Sequence, residues 1–179
     1  PKPQNPKNLF DLLRTWHNKL KFRKTMRIGE GTICFVTGGA SGLGEETVRQ
    51  LHAKGASVIV ADMDVQRMQT LHANLQERIF CVVCDVTKEA DVKNAVEKGV
   101  AVFGTIHVAL ACAGVAWPVL TYSSKGPLNT KIFNSVIQIN VLGSVYMAKY
   151  AAVAMAKNKP VNGERGVILF VSSVAAEEG

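Results

Sequence analysis

Four cysteines, at 34, 81, 84 and 112, are all that the 179 residues contain, and they are scattered. That is too few and too dispersed for a small disulfide-stapled scaffold. The four histidines, at 17, 52, 72 and 107, lack metal-ligand spacing, so no metal site is read from them. Net charge is missing from most of the chain: residues 28–179 carry 13 basic and 13 acidic side chains. That balance argues against a domain whose main surface grips nucleic acid. Long apolar runs are absent too. The nearest, 141–156, is interrupted by Lys149 and falls short of the roughly 18 residues that a bilayer span takes. There are no repeats and no low-complexity tracts. What remains, with 47% hydrophobic and 20% charged residues, is a globular composition long enough for one domain with its own core.

The whole excess charge of +7 sits in residues 1–27, which hold eight basic side chains and one acid, Asp11. Pro1, Pro3 and Pro6 keep the first few residues out of a helix. Beyond them Asn8 suits an N-cap, and Leu9, Leu12, Leu13, Trp16 and Leu20 recur at helical spacing. The pattern predicts an amphipathic helix over 9–22. It reads either as a segment packed on its own body or left from a transit peptide, or as an element docking on a partner or membrane surface. Arginine-rich, acid-poor composition is that of mitochondrial targeting segments, so a mitochondrial location is expected. Touching phosphates of nucleic acid through this arm is the weaker expectation. The chain begins at Pro1, so residues before it are expected to have been removed or left out. Two regions follow: a basic arm over 1–27 and a charge-balanced domain over 28–179.

From Gly31 onward the pattern alternates. Short, nearly continuous apolar runs at 32–37, 56–61, 78–83, 107–112 and 166–171 predict strands. Between them, amphipathic stretches at 42–54, 65–75, 90–103 and 128–156 predict helices. Strands without polar alternation are covered on both faces, which means a doubly wound parallel α/β sheet of the Rossmann kind. The polar loop 157–165 is expected to be exposed.

The segment TGGASGLG (37–44) falls between the first strand and the first helix. Glycines there let the turn be tight and let the backbone approach a pyrophosphate, while the helix N-terminus offers free N–H groups. Gly38, Ser41, Gly42, Leu43 and Gly44 are therefore candidate cofactor contacts. Asp62 closes the second strand, where a carboxylate would accept hydrogen bonds from an adenosine ribose and repel a 2′-phosphate. Neither Ser41 nor Met63 offers positive charge to hold that phosphate, so NAD is expected over NADP. Asp85 and Val86 follow the third strand; Asp85 suits capping the next helix or bonding an adenine, with Thr87 as a rival cap. Cys81 and Cys84 have CxxC spacing but belong to a strand segment, where residues three apart face opposite sides.

Thr37-Gly-xxx-Gly-x-Gly44, Asp62, Asp85-Val86, Cys112-Ala-Gly114, Asn140 and Ser173 together resemble the short-chain dehydrogenase/reductase family over about 26–179. The Thr121-Tyr122-xx-Lys125-Gly126 insert and the stretch 165–179 resemble its mitochondrial branch acting on 3-hydroxyacyl-CoA and hydroxysteroids. The resemblance implies an NAD-dependent oxidoreductase working by hydride transfer. It implies an acyl-CoA or other hydroxy or keto substrate, and assembly as a homo-oligomer or within a larger complex. It puts Cys112 and Gly114 near the nicotinamide ribose. It gives Ser173 the substrate carbonyl or hydroxyl, and Asn140 a proton-relay water.

Two departures stand out. The family's Asn at the head of its N-x-A-G motif is Ala111 here. The family's Tyr-xxx-Lys pair should begin about thirteen residues after Ser173, and Tyr122, Tyr146 and Tyr150 are misplaced to replace it. The expectation is either part of a longer protein, its last strands missing, or a shortened, non-catalytic structural subunit of a mitochondrial assembly. Residues 1–179 alone should be inactive.

Overall fold

A computed structural model describes residues 27–117, 120–124 and 126–173. The amphipathic stretch at 9–22, Lys125 of the insert and residues 174–179 lie outside the described residues.

The elements run β1 (Ile33–Thr37), α1 (Gly42–Ala53), β2 (Ser57–Asp62), α2 (Val65–Leu75), β3 (Ile79–Val83), α3 (Glu89–Phe103) and β4 (Val108–Ala111). There follow a two-stranded antiparallel ribbon, β5 (Tyr122–Ser123) and β6 (Gly126–Pro127), then α4 (Thr130–Val136) and α5 (Gly143–Met155) joined by a π-helical turn (Ile137–Leu142), and β7 (Val167–Phe170). The main sheet has the order β3-β2-β1-β4-β7, with every pair parallel. This is the doubly wound arrangement that the alternation predicted.

Side-chain alternation assigns the helices to faces. On β1 and β2, Phe35, Ile59 and Ala61 point one way, into a core shared with Val92 and Val96 of α3 and Met147 and Ala151 of α5. Cys34, Val36, Val58 and Val60 point the other way, toward Val48 of α1 and Met68 and Leu71 of α2. Because α1 and α2 cover one face and α3 and α5 the other, a crevice opens where β1 and β4 diverge at their C-terminal ends.

Several expectations shift. The predicted strand at 107–112 shortens to Val108–Ala111, and the others move by a residue or two at their ends. The third helix starts at Glu89 with Lys88 as N-cap, so neither Asp85 nor Thr87 caps it. Asp85 instead folds back on Thr87: its Oδ1 accepts from the Thr87 N–H at 3.0 Å and the Thr87 hydroxyl at 2.7 Å. The predicted helix at 128–156 is interrupted by the π turn, and the β5–β6 ribbon falls in a segment without strand-like patterning. Counting uninterrupted apolar residues also undersold one element. The helical stretch Thr130–Met155 is long and apolar enough to cross a membrane by length and composition. Here Gly143, Met147, Ala151 and Met155, four residues apart, bury one stripe of it.

Candidate functional site

The glycine-rich turn lies at the mouth of the crevice. Gly38 has φ +65° and Gly42 φ +51°, a backbone region that L side chains rarely occupy. A Cβ on Gly38 would stand 2.7 Å from Ala113 Cα, so the turn can lie against the β4 loop only without a side chain. A Cβ on Gly44 would collide with the Gly38 carbonyl. At Gly42 the equivalent space is open. Ser41 precedes α1 but makes no capping hydrogen bond, so the first-turn N–H groups have no side-chain acceptor from it.

Asp62 is held by backbone. Its Oδ2 accepts from the Ala40 N–H at 2.9 Å, and its Oδ1 from the Asp64 N–H at 3.0 Å. The carboxylate at the end of β2 is thus locked beside the glycine turn, with lone pairs left for a ligand hydroxyl. Across the crevice the Asp85–Thr87 turn fixes the third edge. The hydrogen bond from Thr87, together with nearby Lys88 at 3.3 Å, holds the Asp85 carboxyl below its ordinary range despite partial burial.

The residue after β4 closes the site. Thr37 is buried, and its hydroxyl receives the Ala113 N–H at 3.4 Å while facing the Leu110 carbonyl at 3.5 Å. From the π turn, Asn140 grips the same loop with both ends of its amide: Oδ1 accepts from the Val115 N–H and Nδ2 donates to the Val115 carbonyl, each at 2.9 Å. Its backbone carbonyl takes the Ser144 hydroxyl at 2.7 Å.

All ten candidate cofactor residues line one cavity of about 650 Å³: Gly38, Ser41, Gly42, Leu43, Gly44, Asp62, Asp85, Val86, Cys112 and Gly114. Met63, Cys84, Thr87, Ala113, Val115 and Ile139, which were not among the candidate cofactor contacts, also line it. A second cavity of about 440 Å³ adjoins it across residues 112–115 and holds both remaining candidates, Asn140 and Ser173, with Ser144 and Ser172. No tyrosine or lysine lines this second cavity among the described residues. Tyr122 is 77% exposed, and Tyr150 is engaged elsewhere, its hydroxyl donating to Glu89 Oε1 at 2.8 Å.

Burial pushes Cys34 and Cys84 up to about 12 and Cys81 up to about 11, and it raises Cys112 as well. Cys81 packs on the α1–α2 side and Cys84 on the opposite side, so the CxxC spacing does not converge. A dinucleotide fits what is present: a cavity of about 650 Å³, a glycine-rich turn at a helix N-terminus, and a carboxylate anchored beside that turn at the end of β2.

The family model for short chain dehydrogenase matches residues 32–179. The chain is 36% identical over 153 residues to the 3-hydroxyacyl-CoA dehydrogenase type-2 of Drosophila melanogaster, covering 84% of this chain and 60% of that protein. It is equally similar to the Homo sapiens protein of the same name, at 36% over 153 residues, 84% of this chain and 59% of that one. It is also 35% identical over 151 residues to (+)-borneol dehydrogenase 1 of Salvia officinalis, covering 83% of this chain and 54% of that protein. The chain therefore spans somewhat over half the length of these relatives.

Proposed function

The chain belongs to the short-chain dehydrogenase family, and from that premise we propose that it is an oxidoreductase that binds NAD in the larger cavity and works on an acyl-CoA-linked hydroxy or keto substrate. The observation that carries the cofactor is Asp62, fixed by two backbone N–H groups beside the glycine turn. A carboxylate so held accepts from a ribose diol and opposes a 2′-phosphate. Bound there, a nicotinamide dinucleotide supplies a hydride acceptor or donor. The residues of this chain do the rest: the glycine turn and α1 meet the pyrophosphate, Val86 and Asp85 flank the base, and residues 112–115 separate cofactor from substrate. In the second cavity the Ser173 hydroxyl is the group for a substrate carbonyl, and Asn140 holds the dividing loop in register.

The acyl-CoA substrate rests on the printed names of two relatives, and the borneol enzyme marks the range of substrates among proteins of comparable similarity. Proton exchange needs a group that titrates or is activated near neutral pH, and a serine hydroxyl or an amide is not one. The family's tyrosine–lysine pair is the natural source of that proton. The alternative is a dinucleotide-holding subunit of a larger assembly that does not catalyse by itself. On either reading we place the protein in mitochondria, with the basic arm docking on a partner or membrane surface, and Trp16 fluorescence in isolated and assembled protein tests the docking.

The test of the cofactor is direct titration. Asp62→Ala should weaken NAD about tenfold, the worth of a hydrogen bond to a charged group, and narrow the gap to NADP. Tighter binding of NADP than NAD by the unchanged chain would overturn the proposal. Reduction of a 3-ketoacyl-CoA by NADH separates the two readings of activity.

A further inference from the structure

Gly143 follows the π turn and is buried at the start of α5. Its N–H closes that turn by donating to the Gln138 carbonyl, five residues back. A Cβ built on Gly143 would stand 2.9 Å from both Cβ and Cγ2 of Val86 and 3.2 Å from the Val86 carbonyl oxygen. Two of these atoms belong to the backbone or its root, so no rotamer change at Val86 relieves the approach. Val86 is itself buried and lines the larger cavity.

The base loop has little room to retreat. Below it, Asp85 is tied to Thr87, and the Asp85 N–H reaches Asp91 Oδ2 at 3.2 Å. Next to it, Glu89 at the start of α3 receives Lys149 at 2.6 Å and Tyr150 at 2.8 Å, both from α5. Helix α5 and the start of α3 are thus fastened together nearly two turns beyond Gly143, and the glycine sets how closely α5 approaches the loop.

We infer that Gly143 is a positioning residue for the base half of the dinucleotide: its missing side chain seats Val86 at the depth that admits an adenine. This rests on the dinucleotide reading above. Asn140, three residues earlier, fixes the loop at the other end of the cavity, so one helical turn gauges both ends.

The experiment is calorimetric titration of the full chain with ADP-ribose, which carries the adenine end without nicotinamide. Gly143→Ala should weaken ADP-ribose about tenfold, the scale of an overpacked contact. Val86→Ile, adding bulk from the other side, should weaken it in the same direction and serves if the glycine variant fails to fold. Gly143→Ala combined with Val86→Gly, which removes both the Cβ and the Cγ2 that the new methyl would meet, should regain most of the affinity while melting lower than either single variant, because it loses buried side-chain volume. A purely structural role predicts the reverse, affinity falling further with stability. Unaltered ADP-ribose affinity in Gly143→Ala and Val86→Ile, or no recovery in the double variant, would overturn the inference with the dinucleotide reading intact. Failure of the unchanged chain to bind ADP-ribose would overturn that reading, and this inference with it.

Discussion

Phe35 and Phe170 lie on strands of the same parallel sheet, yet Phe35 is fully buried and Phe170 is 59% exposed. The contrast runs through the molecule. Around β1 and β2, helices cover both faces and nearly every strand side chain is inaccessible. Around β7, Leu169, Phe170 and Val171 are exposed, and the outer side of the Thr130–Met155 stretch shows Phe133, Ile137, Val141 and Val145, four residues apart. The β1–β2 side is thus closed by its own residues. The β7 side leaves several large apolar side chains exposed, the kind of surface that a partner covers.

The sharpest way to break this comparison is to truncate both phenylalanines. Phe35→Ala should cost about 3–5 kcal/mol, because it leaves a cavity in a packed core. Phe170→Ala should cost well under about 1 kcal/mol if its surroundings are as open as they stand here. Denaturant midpoints read both. Equal losses would mean that the β7 side is covered in solution.

A smaller effect is expected where the two halves meet. Asn140→Ala removes two hydrogen bonds and strands the Val115 N–H and carbonyl, which should cost about 1–3 kcal/mol. Hydrogen exchange at Val115 should quicken, while ADP-ribose affinity changes little because Asn140 does not line the larger cavity. Loss of ADP-ribose binding would show that the two ends of the crevice are less separable than they look.

The smallest effect concerns pH. His107 joins the halves: its N–H donates to the Ile33 carbonyl, its carbonyl receives the Val167 N–H, and its Nδ1 accepts the Ile33 N–H at 3.1 Å. That last bond needs an unprotonated Nδ1, and burial lowers the imidazole pKa below its ordinary value. A lowered folded pKa makes the unfolded chain the better proton acceptor, so the contribution is complete above about 6.5 and is lost as pH falls through the folded value. Urea midpoints at pH 7.5 and 5 should differ less in His107→Gln than in the unchanged chain. An unchanged pH dependence would remove His107 from this seam.

Much of the fold was legible because parallel strands and their helices write period and length directly into the chain. The glycine turn and Asp62 were legible for the same reason, as a strand, a turn and a strand end at fixed spacing. The capping alternative for Asp85 and Thr87 failed because several short polar residues precede α3, and only the path of the chain decides which position meets the helix. The double grip of Asn140 on Val115 spans 25 residues, and the tie of Asn158 to the Ile106 carbonyl at 2.8 Å spans 52. Neither leaves a local signal.

What the sequence determined by itself was therefore everything set by neighbours along the chain: periodicity, the sheet's parallel character, and a glycine-rich turn before a helix. What only the tertiary structure decided was which distant segments meet. Gly38 against Ala113, Gly143 against Val86, and the division of the crevice into two cavities all depend on how far one packed layer approaches another. That distance is fixed by the volumes of all the side chains between the layers at once, and no single stretch of sequence contains it.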